Sequence, residues 1–470
     1  MNPMNALIAR LGKMYRSGVS LAMLAQLLQL GMGLFIIPVA LVRLTSAELG
    51  LWYVFFSIQA TVMLLDFGFT QTFSRNFAYL FGGTQLLRSE GLAAPSGNMP
   101  LHPGLLAATI LGARRLYLLL TCVAALALAT IGTAYVLAMT NRSGLARVEV
   151  LSGWTIFCLA ACASIYFQWQ TALLNGANRV AQNYKIGIAS RVAQLVVSVI
   201  GLSLAPSIVT LALAYAVSVA VGRVYNHYCM RDLIPTCLRA AAAASPQSPR
   251  EILGILWHGA SRLGLVFLGG FLITRSNTFS VSYFLGLETS ARYSVALQCF
   301  TIATGLAQTA FAISSPKISG ARIAGDANLA RSLFVSSLTF SWIVYGFLAA
   351  ALIGTGPYLL HLLGSKTQLP DLSVMFLLAL VLALEMNHAL CANAIVSGNR
   401  VPFVWASLIS GAAIVAGTIA TGLLGGGLFA FIAVQGLVQL AYNNWKWPLV
   451  IMRDLNISTA HVIGRAKHAQ

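Results

Sequence analysis

The sequence predicts an all-α integral membrane protein with about twelve transmembrane helices. Of its 470 residues, 58% are hydrophobic and only 9% are charged, whereas soluble domains carry about 25% charged residues. The mean hydropathy is +0.80, and apolar runs of membrane-spanning length recur along the chain. A protein folded in water needs more polar surface than this composition supplies.

Each predicted span is an apolar run close to the roughly 20 residues that an α-helix needs to cross the hydrocarbon core. The first run exceeds the apolar core of a signal peptide, about 7–15 residues, and is interpreted as a retained span. The twelve segments are 19–41, 49–66, 116–139, 152–174, 186–204, 209–226, 259–285, 290–314, 333–353, 372–390, 403–423 and 428–451.

The distribution of basic residues predicts that both termini lie in the cytoplasm. With this N-in, C-in orientation, 19 Lys and Arg residues fall in inward segments and 4 in outward connections, as the positive-inside rule requires. Trp445 and Trp447 flank Lys446 at the inner end of the last span, where aromatic residues commonly anchor a helix at the interface.

The net charge of +18 is explained by this orientation rather than by nucleic-acid binding. The arginines are dispersed and do not form the basic stripe that nucleic-acid binding needs. The seven cysteines show neither a disulfide framework nor a zinc pattern. We therefore expect no nucleic-acid partner, no metal and no cofactor.

Two weak internal matches predict a parallel repeat of two six-helix bundles. Leu44–Val54 aligns with Leu285–Val295 at an offset of 241 residues, and both are outward corners. Asn175–Val180 aligns with Ser397–Val401, and both are inward corners. The predicted domains are an N-terminal bundle (1–226), a cytoplasmic linker (227–258) and a C-terminal bundle with its tail (259–470). Chance similarity between apolar sequences is the alternative.

Four segments resemble the polysaccharide-transporter branch of the multidrug/oligosaccharidyl-lipid/polysaccharide (MOP) exporter superfamily, the Wzx-type O-antigen and exopolysaccharide-unit flippases. They are Arg43–Trp52, Leu65–Phe69 with Arg75, Leu174–Arg179 and Ser282–Tyr293. The resemblance spans most of the chain, although its motifs are loose. Members often carry an acidic residue where this chain has Asn277.

This resemblance implies a flippase in the bacterial inner membrane that moves undecaprenyl-diphosphate-linked oligosaccharide units to the periplasmic leaflet by alternating access. The implied partners are the lipid-linked oligosaccharide, membrane lipids, and a polysaccharide polymerase with its export machinery. The alternatives are a small-molecule exporter of the same superfamily and a membrane glycan polymerase. We do not expect the protein to be an enzyme, because the longest outward connection, 354–371, holds no paired carboxylates and the chain lacks a P-loop sequence.

Arg275 is the leading candidate for substrate binding. It lies three residues past the midpoint of the span 259–285 and is followed by Ser276, Asn277 and Thr278. A charge at this depth requires a water-filled cavity or a counter-charge. A substrate anion and a buried structural ion pair are therefore the two interpretations.

The other substrate candidates are Asn277, Arg262, Arg191 and Gln29. Arg262 and Arg191 lie a few residues inside their spans, so that snorkelling to the cytoplasmic interface is the alternative role. Arg223 has the same alternative. Gln29 lies in a first span that also contains Pro38 and is expected to kink.

Glu385, His388 and Asp66 are the candidates for ion coupling. Glu385 lies about 20 Å from the outer end of its span, with His388 one turn further on. It would bind a proton, or else pair with Arg275. Asp66 ends the second span just before Gly68, where a capping role competes with ion coupling.

Overall fold

The computed structural model describes residues 28, 35–87, 101–233, 235, 245, 247–396 and 402–457. Within these ranges the chain forms helices joined by turns and short connections, with no β-strand. The all-α prediction is therefore confirmed for the part of the chain that is described.

The chain divides into two compact units. The first unit contains 54–268 together with the described residues before Thr45, and the second contains 45–53 and 269–470. The helices of the N-terminal part are α1 (Ser46–Leu64), α2 (Phe69–Phe81), α3 (Pro103–Ala127), α4 (Thr133–Ser143), α5 (Arg147–Tyr166), α6 (Gln168–Gly176), α7 (Val180–Leu204) and α8 (Ile208–Met230). The others are α9 (Pro249–Ala307), α10 (Thr309–Ile323), α11 (Ala327–Leu362), α12 (Leu372–Val396), α13 (Val404–Leu423), α14 (Leu428–Ala441) and α15 (Asn443–Asp454).

Nine helical segments among the described residues are long and apolar enough to cross a membrane. One of them, Gly264–Arg322, includes most of the predicted spans 259–285 and 290–314, which meet near Gly286 with φ +84°. Many large apolar side chains are exposed, as contact with lipid requires. Examples are Leu126, Ile131, Leu204, Phe347 and Ile409. The count of twelve and the N-in, C-in topology stay predictions.

Two predicted elements are corrected by the structure. The segment 67–115, which the predicted spans 49–66 and 116–139 leave as a cytoplasmic connection, contains α2 and the first half of α3. The last predicted span, 428–451, is broken at Tyr442, whose φ and ψ of −145° and −59° end α14. Of the predicted linker 227–258, residues 227–230 end α8 and residues 249–258 begin α9.

An aromatic cluster holds the first unit together. The ring centroids of Phe55 and Phe157 lie 5.2 Å apart, and Trp154 stacks on Phe157 at 5.8 Å. Tyr215 closes the cluster at 5.3 Å from Phe157. This cluster joins α1, α5 and α8 through rings that pack tightly in tilted arrangements.

Small residues bring α9 and α13 together in the second unit. A Cβ on Gly411 would lie 2.6 Å from the Cβ of Leu272, and one on Gly269 would lie 2.7 Å from the Cβ of Ser407. Small residues are typical where membrane helices approach closely. This close packing determines which face of α9 lies against α13.

Both units carry the same sequence at the end of a helix. Met230-Arg-Asp-Leu233 follows α8, and Met452-Arg-Asp-Leu455 ends α15, at an offset of 222 residues. The aspartate of the first copy lies 3.8 Å from Arg179. The aspartate of the second copy lies 3.4 Å from Arg322. The parallel repeat stays a prediction.

Candidate functional site

Arg275 lies on α9, eleven residues before the break at Gly286, or about 16 Å along the helix axis. Its side chain is partly buried, and its electrostatic neighbour is the buried Tyr293. Among the residues that the structure describes, its guanidinium group forms no hydrogen bond and no ion pair. The alternative pairing of Arg275 with Glu385 is therefore not observed.

Asn277 is buried against α14 instead of sharing a face with Arg275. Its Nδ2 donates to Oε1 of Gln435 at 2.7 Å, and its side chain is 1% exposed. Because successive helical residues are rotated by about 100°, two positions separate the side chains by about 200°. Asn277 thus tethers α9 to α14, while Arg275 lies on nearly the opposite face.

Four carboxamide side chains on α14 and α15 form a polar stripe that the sequence analysis missed. We call this group, Gln435, Gln439, Asn443 and Asn444, the carboxamide ladder; all four are at most 7% exposed. Gln435 and Gln439 are four residues apart on one face of α14, and a hydrogen bond from Asn443 continues the stripe across the break at Tyr442. That spacing was the available signal.

Asn443 is the best-bonded member of the ladder. Its Nδ2 donates to Ser410 Oγ at 2.8 Å and to Gln439 Oε1 at 2.7 Å. Its Oδ1 accepts from Trp447 Nε1 at 2.9 Å, and Trp447 is 4% exposed. By contrast, neither amide atom of Asn444 has a partner among the described residues. The ladder therefore combines satisfied and unsatisfied amides in an apolar setting.

Glu385 and His388 lie together on α12, as their spacing predicts. Oε2 of Glu385 is 3.8 Å from Nδ1 of His388, and the two side chains are 16% and 14% exposed. The other carboxylate oxygen, Oε1, is buried and has no hydrogen-bond partner in the described part of the chain. The structure therefore brings these two ion-coupling candidates together on one helix face.

Asp66 caps the start of α2. Its Oδ1 accepts from the hydroxyl of Thr70 at 2.6 Å and from the hydroxyl of Tyr117 at 2.6 Å. The backbone N–H of Thr70 also donates to this carboxylate, at 3.2 Å. Phe67 and Gly68, with φ +47° and +76°, form the turn before the helix. Of the two roles considered for Asp66, the geometry favours capping.

Arg223 donates hydrogen bonds to backbone carbonyls at a break between two helices. Its guanidinium group donates to the carbonyl oxygens of Phe167 at 3.2 Å and Ser164 at 3.0 Å. These carbonyls lie where α5 ends and α6 begins, inside the predicted span 152–174. The carbonyl of Phe167 also accepts from the backbone N–H of Gln170 at 3.1 Å, and Arg223 adds charge-assisted donors at the break.

The structure shows less about the three remaining substrate candidates, Arg191, Arg262 and Gln29. Arg191 is partly buried on α7, in the first unit. Arg262 lies on α9, but its side chain is outside the described part, and Gln29 lies outside the described residues altogether. No group of three or more His, Cys, Asp or Glu side chains that would suit a metal ion occurs among the residues described.

No protein-family model matches this chain, and no curated protein sequence matches it.

Solved structures of membrane transporters have a similar fold. An inward-facing multidrug resistance transporter of the MATE family, in the MOP superfamily, is 14% identical and has a TM-score of 0.66, covering 92% of this chain and 96% of its own. The lipid II flippase MurJ, in an inward closed conformation, is 12% identical with a TM-score of 0.63, covering 95% of this chain and 88% of its own. A MATE structure in the bent conformation is 15% identical with a TM-score of 0.53, covering 94% and 98%. The chain therefore has the fold of these MOP transporters.

Proposed function

We propose that this protein is a flippase for lipid-linked oligosaccharides. In this proposal it moves an undecaprenyl-diphosphate-linked repeat unit from the cytoplasmic to the periplasmic leaflet, by alternating access, for synthesis of O-antigen or exopolysaccharide. A glycan cannot cross hydrocarbon unaided, because its hydroxyl groups would lose their hydrogen bonds there. The fold, which is also that of a lipid II flippase, supports a role of this kind.

Arg275 is the observation that carries the proposal. Its guanidinium group is deep in a membrane helix and forms no ion pair with the described residues. Such a charge is costly in a membrane and is retained for a function. A diphosphate or an acidic sugar would supply the missing anion through bidentate, charge-assisted hydrogen bonds. A cationic drug would be repelled, which disfavours the exporter alternative.

We assign ion coupling to Glu385 and His388. The unbonded Oε1 of Glu385 is the atom available to a proton or a cation. Asp66 already accepts three hydrogen bonds, so it is the weaker candidate. The proposed location is the bacterial inner membrane, and the proposed partners are the polysaccharide polymerase and export machinery.

The substrate is tested in a strain that lacks this gene. We expect a complete lipid-linked oligosaccharide to accumulate, and we expect the intact gene to reverse that accumulation. The Arg275→Ala variant should fail to reverse it, with at least tenfold less surface polysaccharide, because one charge-assisted pair contributes about 1.5–3 kcal/mol. The measurements are mass spectrometry of extracted lipids and quantification of surface polysaccharide.

Arg292→Ala is the matched control, because Arg292 is exposed on the helix that follows Gly286. Normal export by Arg275→Ala, at an unchanged amount of folded protein, would remove Arg275 from the proposal. Unaltered lipid-linked glycan in the deletion strain would instead favour the small-molecule exporter. Unpolymerised repeat units at the surface would favour the polymerase.

Ion coupling is tested separately in proteoliposomes. The wild-type rate of flipping of a fluorescent lipid-linked oligosaccharide should change when a pH gradient is imposed. Glu385→Gln, which cannot ionise, should give the same rate with and without the gradient, whereas the exposed Glu288→Gln should behave like wild type. A full gradient response in Glu385→Gln would rule out this residue.

A further inference from the structure

A cavity of about 480 Å³ lies at one end of the first unit. We call it the corner pocket. It is lined by the end of α2, by the connection from α6 to α7, and by a residue that follows α8. The lining residues are Ala78, Phe81, Gly82, Asn175, Gly176, Ala177, Asn178, Arg179 and Leu233.

The connection 175–179 has a fixed backbone that shapes the pocket. A Cβ on Gly176 would overlap the side chain of Phe77 on α2, so only glycine permits this approach. Asn178 has a φ of +59°, and Asn183 Nδ2 donates to Asn175 Oδ1 at 2.9 Å. The N–H groups of 177, 178 and 179 bond to backbone carbonyls. A ligand would therefore be held by side chains.

Arg179 supplies the charge of the pocket. Its Nη1 donates to the carbonyl oxygen of Cys229 at 2.9 Å and lies 3.8 Å from a carboxylate oxygen of Asp232. A guanidinium group has five N–H donors in a planar fork, so this carbonyl leaves most of them available. The side chain is 26% exposed, which allows a ligand to reach it.

Positive charge exceeds negative charge around the pocket. Arg231 shares Asp232 with Arg179, at 3.8 Å, and Arg75 lies one turn before Ala78 on α2, exposed and without an ion pair to any described residue. Asp232 is thus shared by two arginines, and Arg75 adds a third positive charge on α2. The pocket also adjoins the start of α7, which has no side-chain cap and favours anions.

We propose that the corner pocket binds the phosphate of a lipid headgroup. Arg179 and the amide of Asn178 would hold the phosphate oxygens, while Phe81 and Leu233 would contact the first carbons of the lipid. Basic pockets between membrane helices are suited to such headgroups, and the positive-inside prediction places this end of the unit at the cytoplasmic leaflet. The lipid is either an anionic phospholipid or a polyprenyl diphosphate carrier. The proposal does not depend on which glycan is transported.

The test measures lipid binding to the purified full-length protein in detergent by native mass spectrometry. The probes are dioleoylphosphatidylglycerol and undecaprenyl diphosphate, each paired with its phosphate-free counterpart, dioleoylglycerol or undecaprenol. At least one phosphate-bearing lipid should bind in preference to its counterpart. Arg179→Gln should weaken that binding about tenfold, and Arg179→Lys should weaken it less. The exposed Arg147→Gln is the matched control and should leave it unchanged.

A second variant guards against misfolding of Arg179→Gln. Ala78→Trp fills the cavity from α2 without changing any charge, and it should also weaken binding about tenfold. Stronger binding of the diphosphate would assign the pocket to the carrier, and stronger binding of phosphatidylglycerol would assign it to membrane phospholipid. Wild-type affinity in both Arg179→Gln and Ala78→Trp, or equal binding of the phosphate-free lipids, would overturn the proposal.

Discussion

Arg223 and Arg275 are both partly buried arginines inside apolar helices, yet their surroundings differ. Arg223 donates to two carbonyl oxygens and lies over the ring of Phe167, 5.5 Å from its centroid. Arg275 forms neither a hydrogen bond nor an ion pair with the residues that the structure describes. Arg223 is therefore bonded within the fold, whereas Arg275 has no hydrogen bond or ion pair with the described residues.

This difference shows what decides the role of a charge in a membrane helix. Burial of a charge is costly unless hydrogen bonds or an opposite charge compensate it. The break at Phe167 exposes carbonyl oxygens that Arg223 compensates, so both groups are satisfied together. Near Arg275 the helix is continuous, so its carbonyls bond within α9. Arg275 therefore has no comparable carbonyl partner among the described residues.

The largest expected effect is a difference in the free energy of unfolding between variants of Arg223 and of Arg275. Arg223→Ala should lower the free energy of unfolding by about 3 kcal/mol, because it removes two charge-assisted hydrogen bonds to backbone carbonyls. Arg275→Ala should change it by less than about 0.5 kcal/mol or raise it, because no hydrogen bond or ion pair with the described residues is lost. Thermal unfolding of the purified variants in detergent measures both.

Arg223→Lys is the control for charge alone. One ammonium group cannot reproduce the planar fork, so we expect an intermediate loss. Equal destabilisation by Arg223→Ala and Arg275→Ala would mean that Arg275 has a structural partner. In that case the comparison between the two arginines fails, together with the main argument for an anionic substrate.

The all-helical fold was predictable from the sequence because a membrane-spanning helix requires a long run of apolar residues. The breaks within those runs were not predictable. Phe167 and Tyr442 interrupt apolar segments without a proline or glycine at the break itself, and they depend on packing against Arg223 and on the buried amides. The short helix α2 was missed because it is amphipathic and too short to span a membrane.

The candidate site was predictable where depth alone identifies a residue. Arg275 follows from its position in the span, and the contact between Glu385 and His388 follows from a spacing of three residues on a helix. The sequence could not show that Asn277 faces Gln435, since partners 158 residues apart meet only through tertiary packing. The carboxamide ladder was missed because its glutamines and asparagines carry no charge.

The carboxamide ladder allows the same comparison between a bonded and an unbonded polar side chain, this time without charge. The expected changes in the free energy of unfolding are smaller. Asn443 has three hydrogen bonds, whereas its neighbour Asn444 has none with the described residues. Asn443→Leu should therefore lower the free energy of unfolding by about 2 kcal/mol, because it leaves the donors and acceptors of its partners without hydrogen bonds. Asn444→Leu should leave the free energy unchanged or raise it by up to about 1 kcal/mol, because an unpaired amide is removed from an apolar setting.

The same two variants also test why an unpaired amide is present at all. A polar group that costs stability is expected at a functional position, so Asn444→Leu should slow flipping while Asn443→Leu mainly lowers the amount of folded protein. Thermal unfolding and the proteoliposome assay on the same samples separate these outcomes. Loss of stability in Asn444→Leu comparable to that in Asn443→Leu would show that Asn444 is bonded in the folded protein. The unpaired groups of the second unit would then be structural, as Arg223 is in the first.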